Sequence, residues 1–178
     1  MEPIRPEFAP DPSLSREEME ALQREIAATA TFSDDLPIDP LDPHTLVAGV
    51  DQGFSDGTAT SAIVVTRGEN VVERVHARVE TEIPYIPGLL SFREGGAILA
   101  AFEKLETDPD IVLFDGSGRI HFREAGLATH IGVMLDVPAV GVAKNLLCGR
   151  PAESLADPLP EGTRIPIEAN EEVTAPDG

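Results

Sequence analysis

Two apolar runs that each close on an aspartate constrain this chain more than any other feature: Leu46-Val47-Ala48-Gly49-Val50-Asp51 and Ile111-Val112-Leu113-Phe114-Asp115. Short runs of this kind read as buried strands. A carboxylate at the mouth of a buried strand is costly unless it is solvated, paired or bound to a cation. A third acid, Glu94, lies between the two runs in Ser91-Phe92-Arg93-Glu94. Two strand ends plus one more acid suggest a metal site.

The surrounding pattern predicts which strands are neighbours. Ser15-Arg16-Glu17-Glu18 is a capping-box signature, after which Met19, Leu22, Ile26 and Ala30 share one helical face, so a peripheral helix is expected to end near Thr31. The Pro/Asp stretch from Asp34 to His44 cannot continue it. Strands are expected over Leu46 to Asp51, Ala59 to Arg67 and Val71 to Ile83, the last with Val75, Ala77 and Val79 alternating with Arg74, His76 and Arg78. Short Gly-containing turns between them imply an antiparallel meander. Next come helix Phe92 to Glu106, strand Ile111 to Asp115, helix Phe122 to Leu135 and strand Ala139 to Ala143, an alternation that implies parallel pairing. A three-strand meander followed by α-β-α-β is the ribonuclease-H-like α/β mixed sheet with flanking helices. Its first and fourth strands are parallel neighbours about 4.8 Å apart, which would bring Asp51 and Asp115 to one edge.

Composition narrows the class. The 178 residues suit one domain, divided into an arm, helix and linker over 1–44, a core over 45–149, and an acidic, Pro-rich segment over 150–178. The first fourteen residues read as a loose arm, and order is expected to fade after Leu147. No apolar run is long enough for a membrane span and no secretory leader opens the chain, so a cytoplasmic protein without a membrane or obligate protein partner is expected. The single Cys148 excludes an internal disulfide framework. The formal charge of −19, with Lys104 and Lys144 the only lysines, suggests a protein solvated in concentrated salt and hence a halophilic source. It argues against indiscriminate nucleic-acid affinity but leaves room for a local groove with Arg and Lys facing phosphate.

Four ordered blocks resemble the endonuclease V family. They are Val47-Ala48-Gly49-Val50-Asp51; Tyr85-Ile86-Pro87-Gly88-Leu89-Leu90-Ser91-Phe92-Arg93-Glu94; Asp115-Gly116-Ser117-Gly118 with His121; and Gly126-Leu127-Ala128-Thr129-His130-Ile131-Gly132-Val133 leading to Gly141-Val142-Ala143-Lys144. The resemblance implies a DNA repair endonuclease that cuts the strand 3′ to deoxyinosine, with Mg2+ as cofactor, Mn2+ as a substitute, and inosine-containing DNA, or alternatively RNA, as partner. It makes Asp51, Glu94 and Asp115 metal ligands, and Pro84, Tyr85, Ile86 and Pro87 a wedge beside the lesion. It places Leu90, Gly116, Gly118, His121, Gly126 and Leu147 in the base pocket and Lys144 on a phosphate, with His121 and Lys144 counted among the catalytic residues and His130 in support. The chain departs from the family where His121-Phe122-Arg123 stands for His-Pro-Arg. It also lacks the family's C-terminal strand and helix with a fourth ligand, so a shortened chain of reduced stability and activity is expected.

Each residue also has a plainer reading. Asp51 and Asp115 could serve only their turns, and Glu94 could reach back to the Ser91 amide in a capping box. Both histidines could be satisfied core groups, Tyr85 part of a rigid hinge, and Lys144 a solvated surface charge. Two rival functions remain: a damaged-base-binding module that does not cut, and another ribonuclease-H-like nuclease such as a junction resolvase.

Overall fold

The computed structural model describes residues 1–33, 38–81, 83–155 and 159–173. Part of the expected linker, residues 34–37, therefore lies outside the described residues. Helix α1 (Arg16–Thr29) begins at the expected capping box, in which the Ser15 hydroxyl accepts from the Glu18 amide and the Glu18 carboxylate accepts from the Ser15 amide. Strands β1 (Leu46–Ser55), β2 (Thr58–Arg67) and β3 (Asn70–Glu80) form the meander, both pairings being antiparallel. After α2 (Leu90–Phe102) comes β4 (Ile111–Asp115), which pairs in parallel with β1, and after α3 (Leu127–Leu135) comes β5 (Ala139–Val142), parallel to β4. The resulting five-stranded order is β3-β2-β1-β4-β5, the mixed sheet expected from the sequence.

One face of this sheet carries the helices. Helix α2 packs on β3, β2 and β1, α3 on β4 and β5, and α1 rides on α3. Alternate residues of the central strands, among them Ala48, Val50, Ile63, Val65, Val112 and Phe114, are buried beneath them with Ile98, Phe102, Ile131 and Met134. Each such side chain contributes roughly 1.5 to 3 kcal/mol by leaving water. Alternation sends Leu113, Val140 and Val142 to the other face, where they are 36%, 43% and 55% exposed. Asp51 and Asp115 share the parity of that exposed face.

The structure corrects several expectations. Residues 1–14 are tied down: the Met1 ammonium donates to the Phe102 carbonyl (2.9 Å), the Ile4 and Arg5 amides to Met134 (3.0 Å each), and Phe8 is buried. Backbone pairing to a core helix outweighs a Pro-rich composition here. The helix expected from Phe122 starts only at Leu127, because Glu124 takes a left-handed φ of 55° and Gly126 is extended at the N-cap. Helix α2 stops at Phe102, four residues early. Beyond Leu147 order does not vanish, since β6 (Arg150–Pro151) and β7 (Ile167–Glu168) pair antiparallel and the Arg150 guanidinium meets Glu168 at 3.1 Å.

Candidate active site

Register places the two aspartates. Val50 pairs with Phe114 in the parallel β1/β4 ladder, so Asp51 and Asp115 follow as the next residue on each strand, and Asp115 in turn pairs with Val142 of β5. Both are exposed, and the Asp51 carboxylate accepts from the Gln52 amide at 2.7 Å. Glu94 enters from the first turns of α2 and is only 6% exposed. Its Oε2 is buried without a hydrogen-bond partner. Burial pushes its carboxyl up to about 7, against the pull of Arg93 and with the charges of Asp115 and Asp51 pushing the same way. The capping-box alternative for Glu94 is not realised: the N-cap of α2 is Leu89, with no side-chain cap, and the Ser91 hydroxyl instead meets His130 Nδ1 at 2.8 Å.

These acids line one open cleft of about 520 Å3. Its second wall is the loop from Gly116 to Gly126, folded on itself by Gly126 N–H to the Gly118 carbonyl (3.0 Å) and Ala128 N–H to the Ser117 carbonyl (3.0 Å). A Cβ on Gly126 would collide with the Ser117 backbone and hydroxyl oxygens, so the tight turn requires glycine. Buried His121 sits in this wall, its Nδ1 accepting from the Arg123 amide (3.2 Å) and its Nε2 donating to the Gly88 carbonyl (3.1 Å). Those partners assign the neutral Nε2–H tautomer. Burial, with a smaller push from Arg123, holds His121 down at about 4. The third wall holds Tyr85, 59% exposed, and the rim carries Lys144 and Leu147.

The model for the Endonuclease V family matches residues 22–175. The chain belongs to the endonuclease V family. It is 63% identical over 200 residues to a curated endonuclease V of Haloarcula marismortui, a match that covers 99% of this chain and 74% of that protein. The crystal structure of endonuclease V from Streptomyces avermitilis superposes with a TM-score of 0.76 at 35% identity, covering 87% of this chain and 67% of that one. Endonuclease V of Ciona intestinalis, crystallised with a 24mer DNA containing an inosine followed by a ribo-adenosine, superposes with a TM-score of 0.66 at 28% identity, over 73% of this chain and 58% of that one. The chain thus spans about three quarters of the length of that curated relative and about three fifths to two thirds of the solved structures.

Against the residues that the family resemblance selected, the fold brings Asp51, Glu94, Asp115, Tyr85, Leu90, Gly116, His121, Gly126, Lys144 and Leu147 to the one cleft. Pro84, Ile86, Pro87 and Gly118 do not line it: Pro84 and Pro87 are exposed beside it, Ile86 packs on the Met19, Leu89 and Phe92 cluster, and Gly118 lies against Gly141. His130 is wholly buried, bonded to Ser91 and, through Nε2, to the Phe8 carbonyl (2.8 Å). It therefore stands behind Ser91, which does line the cleft.

Oxygen donors with one orphaned buried carboxylate atom suit a hard divalent ion such as Mg2+, which keeps several of its waters and takes few protein ligands. The three acids do not close into a cage: among the described residues no group of three or more acid, His or Cys side chains could hold a metal ion as placed. Residues that the sequence reading left out of the site also line or support the cleft, among them Phe54, Arg93, Gln23 and Arg123. Phe54 lies at its edge with the Arg93 guanidinium 4.2 Å over the ring, and Gln23 of α1 reaches it from behind together with Arg123. The available signal for Gln23 was its place between Met19 and Ile26 on the core face of α1, where a polar residue needs a partner.

Proposed function

We propose that the chain is a DNA repair endonuclease that hydrolyses the phosphodiester bond 3′ to deoxyinosine, with Mg2+ held by Asp51, Glu94 and Asp115 and Mn2+ as a substitute. The observation that carries the reading is the meeting, at one cleft, of the orphaned Glu94 carboxylate with Asp51, which lies within β1 and not at its expected end, Asp115 at the end of β4, and the Gly116 to Gly126 loop. When bound, the ion would supply charge neutralisation at the scissile phosphate. The protein's own groups do the rest. Exposed Tyr85 stacks on an unpaired base, a contact worth about 1 to 3 kcal/mol against the few kcal/mol that extruding a base costs. Gly116 and Gly126 belong to the wall that faces the extruded base, Leu90 and Leu147 flank it, and Lys144 meets a phosphate oxygen.

The role assigned to His121 is recognition. Both ring nitrogens are already engaged and the ring stays neutral near pH 7, which suits a fixed wall better than a proton carrier. His130 and Ser91 brace the start of α2, which carries Glu94. The inosine-bearing DNA in the Ciona complex supports DNA as substrate, with RNA as the alternative. That no three acid, His or Cys side chains among the described residues gather closely enough to hold a metal as placed favours a second reading, a module that binds damaged bases without cutting.

Cleavage of a duplex carrying one inosine, with and without magnesium, separates the readings. A nuclease of this kind cuts beside the lesion only with metal, a binding module only shifts the duplex, and a junction resolvase leaves it intact but cuts a branched substrate.

A further inference from the structure

Helix α1 lies outside the sheet and supplies no acid to the cleft, yet it contributes one side chain that touches two walls of it. Gln23 is 1% exposed. Its amide nitrogen donates to the Gly88 carbonyl at 2.9 Å and to the Ala125 carbonyl at 3.3 Å, and its amide oxygen accepts from Arg123 Nε at 2.6 Å. Gly88 ends the Pro84 to Pro87 segment that presents Tyr85, while Ala125 and Arg123 belong to the loop that carries His121. Gly88 is held at a φ of +80°, and a Cβ there would lie 2.7 Å from the Phe122 ring, so its carbonyl has one orientation to offer. Three donors converge on that carbonyl: Gln23 Nε2, Arg123 Nη2 (3.1 Å) and His121 Nε2 (3.1 Å). Arg123 is itself buried and answered on its far side by Glu20 of α1 at 3.8 Å.

We infer that Gln23 is a positioning residue, one that locks the Tyr85 segment and the His121 loop into a single spacing and so sets the width of the slot for an extruded purine. The inference rests on the base-pocket reading proposed above and extends it to α1. Neither wall has helix or strand bonding of its own between Ile83 and Leu89 or between Gly116 and Gly126. Their relative placement therefore depends on side-chain bridges, and a buried bridge with every donor and acceptor used is stiff because opening it strands polar groups away from water. Gln23 reaches both walls from α1, and Arg123 joins it from the loop side.

Tyr85 is the only tyrosine and the chain has no tryptophan, so intrinsic fluorescence reads this wall alone. Acrylamide quenching of Tyr85 and binding of duplexes with and without one inosine should be measured on the 178-residue chain, on Gln23→Leu and on Gln23→Glu. Gln23→Glu keeps the shape and the Arg123 contact but turns two donors into a carboxylate facing two carbonyls. Expected are cooperative melting, easier quenching of Tyr85, and a loss of inosine preference of about tenfold with binding of the undamaged duplex unchanged. A merely structural role would weaken both duplexes equally and would overturn the assignment, as would unchanged quenching and preference in either folded variant. If Gln23→Leu does not melt cooperatively, Gln23→Glu alone decides, and failure of both to fold would make Gln23 a folding residue and end the inference. Should the unsubstituted chain itself show no inosine preference, the base-pocket reading fails, whereas the quenching comparison still tests the bridge.

Discussion

Val50 and Phe114 are partners in the parallel β1/β4 ladder, and that one pairing puts Asp51 and Asp115 side by side on two central strands of the sheet. If these carboxylates hold the metal, Asp51→Asn or Asp115→Asn keeps the side-chain volume but removes a ligand. Cleavage of an inosine duplex should fall by about a thousandfold, the rate equivalent of several kcal/mol of charge stabilisation. Binding of the same duplex should survive in a gel-shift assay. Unimpaired cutting by either variant contradicts the assignment.

Tyr85 is exposed at the cleft while its neighbours Ile86 and Leu89 are anchored with Phe92. Tyr85→Ala should weaken inosine-duplex binding by about 1 to 3 kcal/mol, the worth of one stacked base. The magnesium midpoint of cleavage should not move, because stacking acts on the nucleic acid. A shifted midpoint with unaltered binding would refute the wedge.

His130 is held neutral by burial, its value pushed down to about 4 from an ordinary 6.5, a direction the Phe8 carbonyl only partly opposes. A folded value below the unfolded one means the unfolded state binds the proton more readily. Its contribution is thus complete above about pH 6.5 and is lost as pH falls toward 4. His121, also near 4, acts in the same direction. Glu94, held up at about 7, acts in the opposite direction over the same window, so the difference between variants is the test: from about pH 7 down to about pH 5 the urea midpoint of His130→Asn, though lower at neutral pH, should lose less than that of the unsubstituted chain. Parallel slopes would count against a buried neutral imidazole.

A formal charge of −19 makes the folded chain repel itself at low ionic strength. Raising KCl from about 0.1 M to about 2 M shortens the screening length from about 10 Å to a few ångströms. The melting temperature should rise steadily across that range, the response expected of a chain folded for concentrated salt. A flat or falling curve would detach the acidic composition from any salt adaptation.

The strand periods of β1 to β4, the capping box at Ser15 and the two aspartate-ended runs are local patterns, each written within a few residues, and they determined the mixed sheet and marked two of the candidate site's acids. Glu94 was legible as a candidate but not as a buried one, because its burial depends on how α2 seats against β1 to β3, and Ser91, which reads as its cap, is drawn away to His130 by a contact 39 residues distant. The start of α3 was misplaced for a like reason: Glu124 and Gly126 leave helical geometry to fold the loop against Gly118, an arrangement that propensity does not encode. Gln23 looks in sequence like one polar interruption in an amphipathic helix. Only the tertiary structure, by bringing Gly88, Ala125 and Arg123 from 65, 102 and 100 residues away, gives each of its hydrogen-bonding atoms a partner, since long-range polar pairing is settled by packing and not by any period along the chain.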